Sequence, residues 1–168
     1  DLTFTQTVAE GSMRFTVNLP TGNFYVKSIR MEGRDVTDQA VEFKNNDRFH
    51  GVEVVISSQG GQLSGVVRKE EGGEVLRGAT VVVFPSDPER QSKSRFVKTV
   101  QTDQQGSFDA KGLVPGEYLV CALLTHEAGA ETDVSYLQEI EKLGKRVELA
   151  AGAAKTENLV AAAGPATE

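Results

Sequence analysis

The sequence predicts an all-β chain made of β-sandwiches in tandem, with one short surface helix in the second of them. Three observations predict this organisation. Short runs of Val, Ile, Thr, Phe and Tyr are separated by Gly, Pro, Asn or Asp about every ten residues, which is typical of a sandwich. A block of the chain occurs twice, and one segment has the apolar spacing of a helix.

The repeat predicts the domain boundaries. Residues 7–12 and 19–26 reappear as residues 102–107 and 113–120, with the same Gly-Ser pair and the same corner of Gly, one residue and an aromatic residue. Residues 41–43 match 147–149 after about a dozen extra residues in the second copy. No counterpart of residues 62–105 precedes Asp1. We therefore expect a partial repeat, the C-terminal half of a sandwich, over 1–57, a complete sandwich over 58–163 and a tail over 164–168.

Each predicted strand is a β-branched or aromatic run that ends at turn residues. The strands of the first copy are 2–8, 12–18, 22–31, 40–43 and 52–57. Those of the second copy are 62–68, 80–85, 96–102, 106–111, 116–124, 145–150 and 156–161. Residues 45–47 form a polar hairpin tip, and the Pro-Gly corner at Pro115 and Gly116 supplies a turn.

One segment of the second copy interrupts the strands. Thr132 or Asp133 is suited to cap a helix, and Gly144 to end it in a left-handed conformation. The apolar positions of the segment are spaced as on one face of a helix: Val134, Leu137, Ile140 and Leu143. We expect a surface helix of about ten residues that fills the insertion and covers one end of the sandwich.

Composition excludes several classes of protein. The net charge of −6 and the pI near 5.1 argue against a nucleic-acid partner, which a clustered cationic surface would bind. The densest cationic stretch is interpreted as a solvated loop and strand edge: Arg90, Lys93, Arg95 and Lys98. The longest apolar runs are far shorter than the roughly 18 residues that span a bilayer, so we expect no membrane insertion.

The residues able to carry chemistry do not form a known site. The single cysteine, Cys121, lies in an apolar run, which predicts a buried structural thiol. His50 and His126 fall in different copies, so no metal site is expected. Several carboxylates lack calcium-loop spacing and are interpreted as solvation: Asp87, Glu89, Asp103 and Asp109. The sequence has no hydrolase elbow, phosphate loop or dinucleotide fingerprint, so we expect no catalytic, cofactor-binding or metal-binding residues and no cofactor.

Several segments together resemble a known family. Residues 62–67, the turn at 70–73, the run 78–83, the pair Gly106 and Ser107 with Phe108, and the corner 113–118 are similar to the carboxypeptidase regulatory-like domain. The resemblance implies a transthyretin-like, Ig-like sandwich of seven strands, related to B-type repeats of Gram-positive collagen adhesins. It also implies that Phe108 and Tyr118 are buried. A non-catalytic module of a secreted or cell-surface bacterial protein is what the resemblance implies for function, although the sequence contains no signal peptide pattern.

Some relatives of this fold crosslink their first and last strands through an isopeptide bond. That bond needs a buried Lys on the first strand, an Asn or Asp on the last strand and a carboxylic acid between them. Here the first strand offers Arg68 instead of Lys, and only Asn158 fits a required position. Because arginine stays protonated, it cannot replace lysine as the nucleophile, and we expect no crosslink.

Three functions remain open at this stage. The leading one is a structural or interaction module whose partners are other domains of the same protein or copies of itself. The second is an extracellular fibre subunit completed by strands from a neighbouring copy. The third is an accessory domain of a hydrolase that binds a polysaccharide or a protein, for which Tyr136 is the best candidate for an exposed aromatic contact.

Overall fold

The computed structural model describes residues 3–45 and 47–165, which form two compact units. Unit 1 contains the described residues up to Leu19 together with Val26–Ile56. Unit 2 contains Pro20–Tyr25 and the described residues from Ser57 onwards. No helix among the described residues is long and apolar enough to cross a membrane.

Unit 1 consists of two small sheets around a short core. Its strands are β1 (Gly11–Met13), β2 (Tyr25–Met31), β3 (Arg34–Asp35), β4 (Val41–Phe43) and β5 (Val52–Ser57). β1 pairs with β4, and β2 lies between β3 and β5. The core centres on Phe43, whose ring meets Phe15 and Phe49 edge to face at centroid distances of 6.2 and 5.4 Å. Such aromatic pairs add to the apolar burial that holds a small core together.

Unit 1 departs from the predicted strands at its start. The predicted strand 2–8 is not formed over its described residues, since Thr3–Val8 are exposed and unpaired. The predicted strand 12–18 is reduced to β1. A strand is held by the hydrogen bonds of a neighbour, and the described part of unit 1 pairs no strand with residues 3–8. Leu2 and Asn46, the middle of the predicted hairpin tip, lie outside the described residues.

Unit 2 is a sandwich of two sheets. Its strands are β6 (Gly61–Arg68), β7 (Thr80–Pro85), β8 (Lys98–Gln101), β9 (Ser107–Leu113), β10 (Gly116–Leu123), β11 (Lys145–Leu149), β12 (Ala154–Thr156) and β13 (Leu159–Ala162). In sheet A, β6 pairs with β9 on one side and with β12 and β13 on the other. In sheet B, β7 lies between β8 and β10, and β10 also pairs with β11. β13 continues from β6 to β10 and so joins the two sheets. The predicted all-β class and sandwich are confirmed.

The core of unit 2 has two layers. Val81 and Val83 of β7 face sheet A and pack with Leu63, Phe108 and Tyr118. The alternate residues of β7 and β10 face the opposite side, where they pack with helix α2 (Val134–Ile140): Val82, Phe84, Leu119, Cys121 and Leu123. Burial on both faces is the reason that β7 and β10 read as unbroken apolar runs. The expected position of the helix is wrong, because α2 covers a face of sheet B and not one end of the sandwich.

The predicted helix is confirmed, and its ends differ in detail. Asp133 caps α2, and its carboxylate accepts the Ser135 N–H at 2.8 Å. The left-handed stop at Gly144 is wrong, since the helix continues into a 3₁₀ turn and Gly144 has φ −81°. Glycine is needed there for close approach, because a Cβ would lie 2.9 Å from the Cβ of Leu119.

A second helix was not predicted. α1 (Pro88–Gln91) follows Asp87, whose carboxylate accepts the Glu89 N–H at 3.0 Å. Proline at the first helical position after an aspartate cap is a standard helix start, whereas the cationic stretch that begins at Arg90 is predicted to be a solvated loop and strand edge. A 3₁₀ turn at Ser94–Phe96 also shortens the predicted strand 96–102 to β8. Of the predicted tail, only Gly164 and Pro165 lie within the described residues.

The predicted repeat stays a prediction. By the sequence alignment β2 corresponds to β10 and β4 to β11. β11 pairs with β10, whereas β4 pairs with β1. The two units therefore share a sequence pattern without sharing this strand pairing.

The packing of α2 on sheet B leads to a stability prediction. Leu137→Ala removes a side chain with 0 % exposure from the contact between α2 and sheet B, and we expect it to lower the free energy of unfolding by about 2–5 kcal/mol. The matched control on the exposed side of the same helix, Glu139→Ala, should change it by less than about 0.5 kcal/mol. Urea denaturation of both variants measures this difference, and equal stabilities would show that α2 is not part of the cooperative core.

Candidate functional site

The outer face of sheet A is the part of unit 2 best placed to meet another molecule. Sheet B is covered by α2, whereas the residues of sheet A that point away from the core are exposed or half-buried. We call this surface the open face. It consists of Gln62, Ser64, Val66 and Arg68 of β6, Ser107, Asp109 and Lys111 of β9, and Ala154 and Thr156 of β12.

Strand register places these side chains in rows across the sheet. One row contains Ala154, Gln62 and Lys111, and the next contains Thr156, Ser64 and Asp109. The Gln62 side-chain amide donates to Asp109 at 2.8 Å, and the Lys111 ammonium lies 2.8 Å from the same carboxylate. The result is a mainly polar surface that offers hydrogen bonds and an ion pair between Lys111 and Asp109. Such a surface suits docking to another polar surface.

Tyr136 does not provide the exposed aromatic contact that was expected. Its ring is half-buried on α2, and its hydroxyl lies 2.8 Å from Nδ1 of His126. Burial, together with neighbouring Cys121 and Glu131, raises the pKa of the Tyr136 hydroxyl, so that it acts as a neutral donor. No aromatic side chain takes part in the open face as defined by its residues.

His126 has a structural role. Its side chain is 5 % exposed, and its Nε2 lies 3.0 Å from the Glu131 carboxylate. Because a carboxylate only accepts, Nε2 donates to Glu131, and in a neutral imidazole with this proton Nδ1 accepts from the Tyr136 hydroxyl. Glu131 also accepts the Gly129 N–H at 3.0 Å. Together these bonds tie the turn before α2 to the helix.

His50 belongs to unit 1, whereas His126 belongs to unit 2. His50 is exposed in the segment between β4 and β5. Among the described residues no group of three or more His, Cys, Asp and Glu side chains is placed to hold a metal ion.

Of the carboxylates interpreted as solvation, Glu89 is exposed, whereas Asp87, Asp103 and Asp109 stabilise turns or pair with neighbours. Asp103 accepts the N–H groups of Gln105 and Ser107 at 2.9 and 2.8 Å and so closes the turn before β9. Asp87 caps α1 and pairs with Arg90 at 3.5 Å. Their backbone contacts are those that Asp commonly makes at turns and helix caps.

The cationic stretch is more structured than a solvated edge. The guanidinium carbons of Arg90 and Arg95 lie 5.3 and 4.1 Å from the ring centre of Phe96, which is 5 % exposed. These distances are those of cation–π contacts. The two arginines therefore help to cover a buried aromatic residue, a role that charge spacing alone does not reveal.

Asn158 contacts the first strand in a way that differs from a crosslink. It is exposed, and its side-chain oxygen accepts the Val66 N–H at 3.1 Å. The neighbouring positions on β6 are Gly65, Val67 and Arg68, which offer no amine nucleophile. The polar open face and this bond were missed at the sequence level, although the alternation of polar residues along β6 and β9 indicated an exposed face.

Cys121 is buried in the layer between sheet B and α2, as predicted. Burial raises the pKa of its thiol to about 12, which keeps it protonated at neutral pH.

Tyr118 is also buried. Burial raises the pKa of its hydroxyl to about 12, although the positive charges of Arg90 and Arg95 act in the opposite direction. Its hydroxyl donates to the Val114 carbonyl at 2.6 Å. Phe108 and Tyr118 are buried, as predicted.

Comparisons with known proteins bear mainly on unit 2. The sequence pattern of the carboxypeptidase regulatory-like domain matches residues 62–160. No curated protein matches the chain in sequence. A candidate carbohydrate-binding protein from Pseudomonas aeruginosa aligns at TM-score 0.38 and 16 % identity over 60 % of this chain and 87 % of its own.

Two further solved structures align over more of the chain. For the major pilin subunit of Bacillus cereus the TM-score is 0.42 and the identity 11 %, over 82 % of this chain and 56 % of the pilin subunit. For the Bacillus anthracis TIE protein the values are 0.39 and 22 %, over 82 % of this chain and 24 % of that protein. The chain thus spans about half of the first and a quarter of the second.

The buried thiol leads to a prediction about alkaline pH. As pH rises above 9.0, the ordinary pKa of the thiol, unfolded Cys121 loses its proton while folded Cys121 keeps it up to about 12. The unfolded state then binds fewer protons, so the free energy of unfolding falls over this range. In Cys121→Ala the fall should be shallower, and the part that remains includes the contributions of Tyr118 and Tyr136, whose pKa values are also raised in the folded state. Urea denaturation at pH 8 to 11 compares the slopes, and identical slopes would contradict the assignment.

Proposed function

The chain belongs to the carboxypeptidase regulatory-like domain family, and on this premise we propose that it is a non-catalytic structural and interaction module of a secreted or cell-surface bacterial protein. Its partners in this proposal are other domains of the same protein or copies of itself. The acidic net charge favours a partner other than nucleic acid.

The observation that carries the proposal is the two-sided packing of sheet B. One face packs on sheet A and the other on α2, which makes unit 2 a firmly packed block. Groups that often perform catalysis are used to hold this block together: Cys121 lies in its core, and His126 joins Glu131 to Tyr136. The open face is what unit 2 presents to a partner.

The proposal predicts that the protein lies at the cell surface or is secreted, and that it catalyses no hydrolysis. An antibody raised against unit 2 should label intact cells of the bacterium that produces the protein, or detect the protein in the culture medium. The purified chain should not hydrolyse generic ester, peptide or glycoside substrates above the rate of heat-denatured chain. Labelling only after cell lysis would contradict the surface location, and reproducible turnover would contradict the non-catalytic role.

A fibre subunit is the second candidate, and residues 3–8 favour it. This segment alternates Thr3, Thr5 and Thr7 with Phe4, Gln6 and Val8, the period of a strand, and it is exposed and pairs with no strand of the described residues. Phe4 is 58 % exposed. An exposed strand-like segment of this kind is suited to pair with another chain.

The strand pairing of unit 2 limits which segment a neighbouring copy could donate to the fibre contact. β7 of a folded copy is already paired on both edges, with β8 and β10, and so is not free to be donated. A second copy therefore has its own exposed residues 3–8 to offer. In a fibre, residues 3–8 of one copy would pair with a different strand edge of the next copy, because a contact between the same segment in two copies closes into a dimer.

If the chain is a fibre subunit, it should associate through residues 3–8, and the molar mass of the purified chain should depend on this segment. The mass measured by light scattering should rise with concentration, and Thr5→Pro should keep the chain monomeric, because proline removes a backbone N–H from the new strand. Thr5→Val is the matched control and should preserve association, since valine favours strands. A monomer at all concentrations, or association unchanged by Thr5→Pro, would contradict this candidate.

A further inference from the structure

The first and last strands of unit 2 lie side by side and run in the same direction. β6 pairs in parallel with β12 and then with β13. We propose that this arrangement makes unit 2 a tension-bearing element, in which force along the chain loads the pairing of β6 with β12 and β13 in shear. The inference rests on the proposed structural role and adds to it a mechanical function with defined residues.

The direction of loading follows from the strand order. The chain enters β6 at Gly61 and leaves β13 at Ala162. Because the strands are parallel, these two points lie at opposite ends of the pairing. Pulling on them slides one strand along the other, perpendicular to the hydrogen bonds, which are then strained together. Antiparallel terminal strands would have both points at one end and would open one bond at a time.

The shared ladder extends along nearly all of β6. Gln62–Ser64 are paired with β12, and Val67 and Arg68 with the first residues of β13. The Gln62 N–H donates to the Ala153 carbonyl at 2.9 Å, and the Glu157 N–H donates to the Ser64 carbonyl at 2.8 Å. These bonds extend the pairing beyond the bounds of β12.

Asn158 and Gly65 maintain the ladder where β12 ends and β13 begins. The Asn158 side-chain oxygen accepts the Val66 N–H at 3.1 Å, which gives this N–H a partner at the bend. Gly65 allows the bend to lie close to β6, since a Cβ there would come within 1.9 Å of the Glu157 carbonyl oxygen. A side chain at position 65 would force the two segments apart.

Both strands are also anchored away from their shared edge. β6 pairs with β9 along its opposite edge, and Leu63 and Val67 are 0 % exposed in the core. β13 pairs with β10 through Ala161 and Ala162. Sliding β6 past β13 therefore requires buried apolar side chains to leave the core while the ladder breaks. The anchors make the shared ladder the point at which the force is resisted.

Single-molecule force spectroscopy on the full chain tests the geometry. Cysteine handles introduced by Ser58→Cys and Ala163→Cys load β6 against β13 in shear, and both positions are exposed. The matched control uses Ser58→Cys with Lys111→Cys. Lys111 faces Gln62 across the antiparallel pair of β6 and β9, so this pair of handles opens that ladder from one end. Native Cys121 is buried and does not interfere.

We expect unit 2 to rupture at a several-fold higher force in the shear geometry, at the same loading rate. Asn158→Ala should lower the shear rupture force and leave the force in the control geometry unchanged, whereas Asn158→Asp keeps an acceptor for Val66 and should restore it. A merely destabilising change would lower both forces. Equal rupture forces in the two geometries, or no effect of Asn158→Ala, would overturn the inference. Neither result would contradict the proposed surface location or the proposed absence of catalysis, which are tested separately.

Discussion

Burial of β7 and β10 on both faces is the constraint on which the rest of unit 2 depends. Successive side chains of a strand point to opposite faces, so an unbroken run such as Val81, Val82 and Val83 needs two apolar partners. Sheet A supplies one and α2 supplies the other. Each fully buried side chain of this kind contributes about 1.5–3 kcal/mol, so neither cover is dispensable. Because α2 occupies the outside of sheet B, the outward side chains that it covers are buried, whereas those of sheet A are exposed or half-buried.

The same constraint explains why polar side chains of unit 2 form hydrogen bonds with backbone groups in its turns. Strands that are packed on both sides must be joined by turns whose backbone groups find partners close by. Thr102 donates to the Leu76 carbonyl at 2.6 Å and accepts the Ala79 N–H at 3.0 Å, which secures the chain before β7. Tyr118 reaches the Val114 carbonyl from inside the core. Residue types that often perform catalysis are thus used here to satisfy the backbone.

The sequence predicted the parts of the fold that depend on local pattern. β7, β10 and α2 were found because apolar runs and helical spacing are visible along the chain. Residues 3–8 have strand alternation but no partner, and pairing is not a local property. The end of α2 depends on the approach of Gly144 to Leu119, a contact between distant segments. The open face was not predicted for the same reason, since the contact of Gln62 with Asp109 exists only in the register of β6 and β9.

The junction of β6 with β12 and β13 depends both on local residue types and on contacts between segments that are distant in sequence. The chain must bend after β12 so that β13 can cross from β6 to β10 and close the sandwich. A bend would leave the Val66 N–H unpaired, and Asn158 satisfies it, while Gly65 makes room for the backbone of Glu157. An isopeptide crosslink between these two strands would need a lysine on the first of them, and β6 has none. Hydrogen bonds hold the first and last strands together instead. We therefore expect their pairing to form again after it has been broken, since no covalent bond has to be remade.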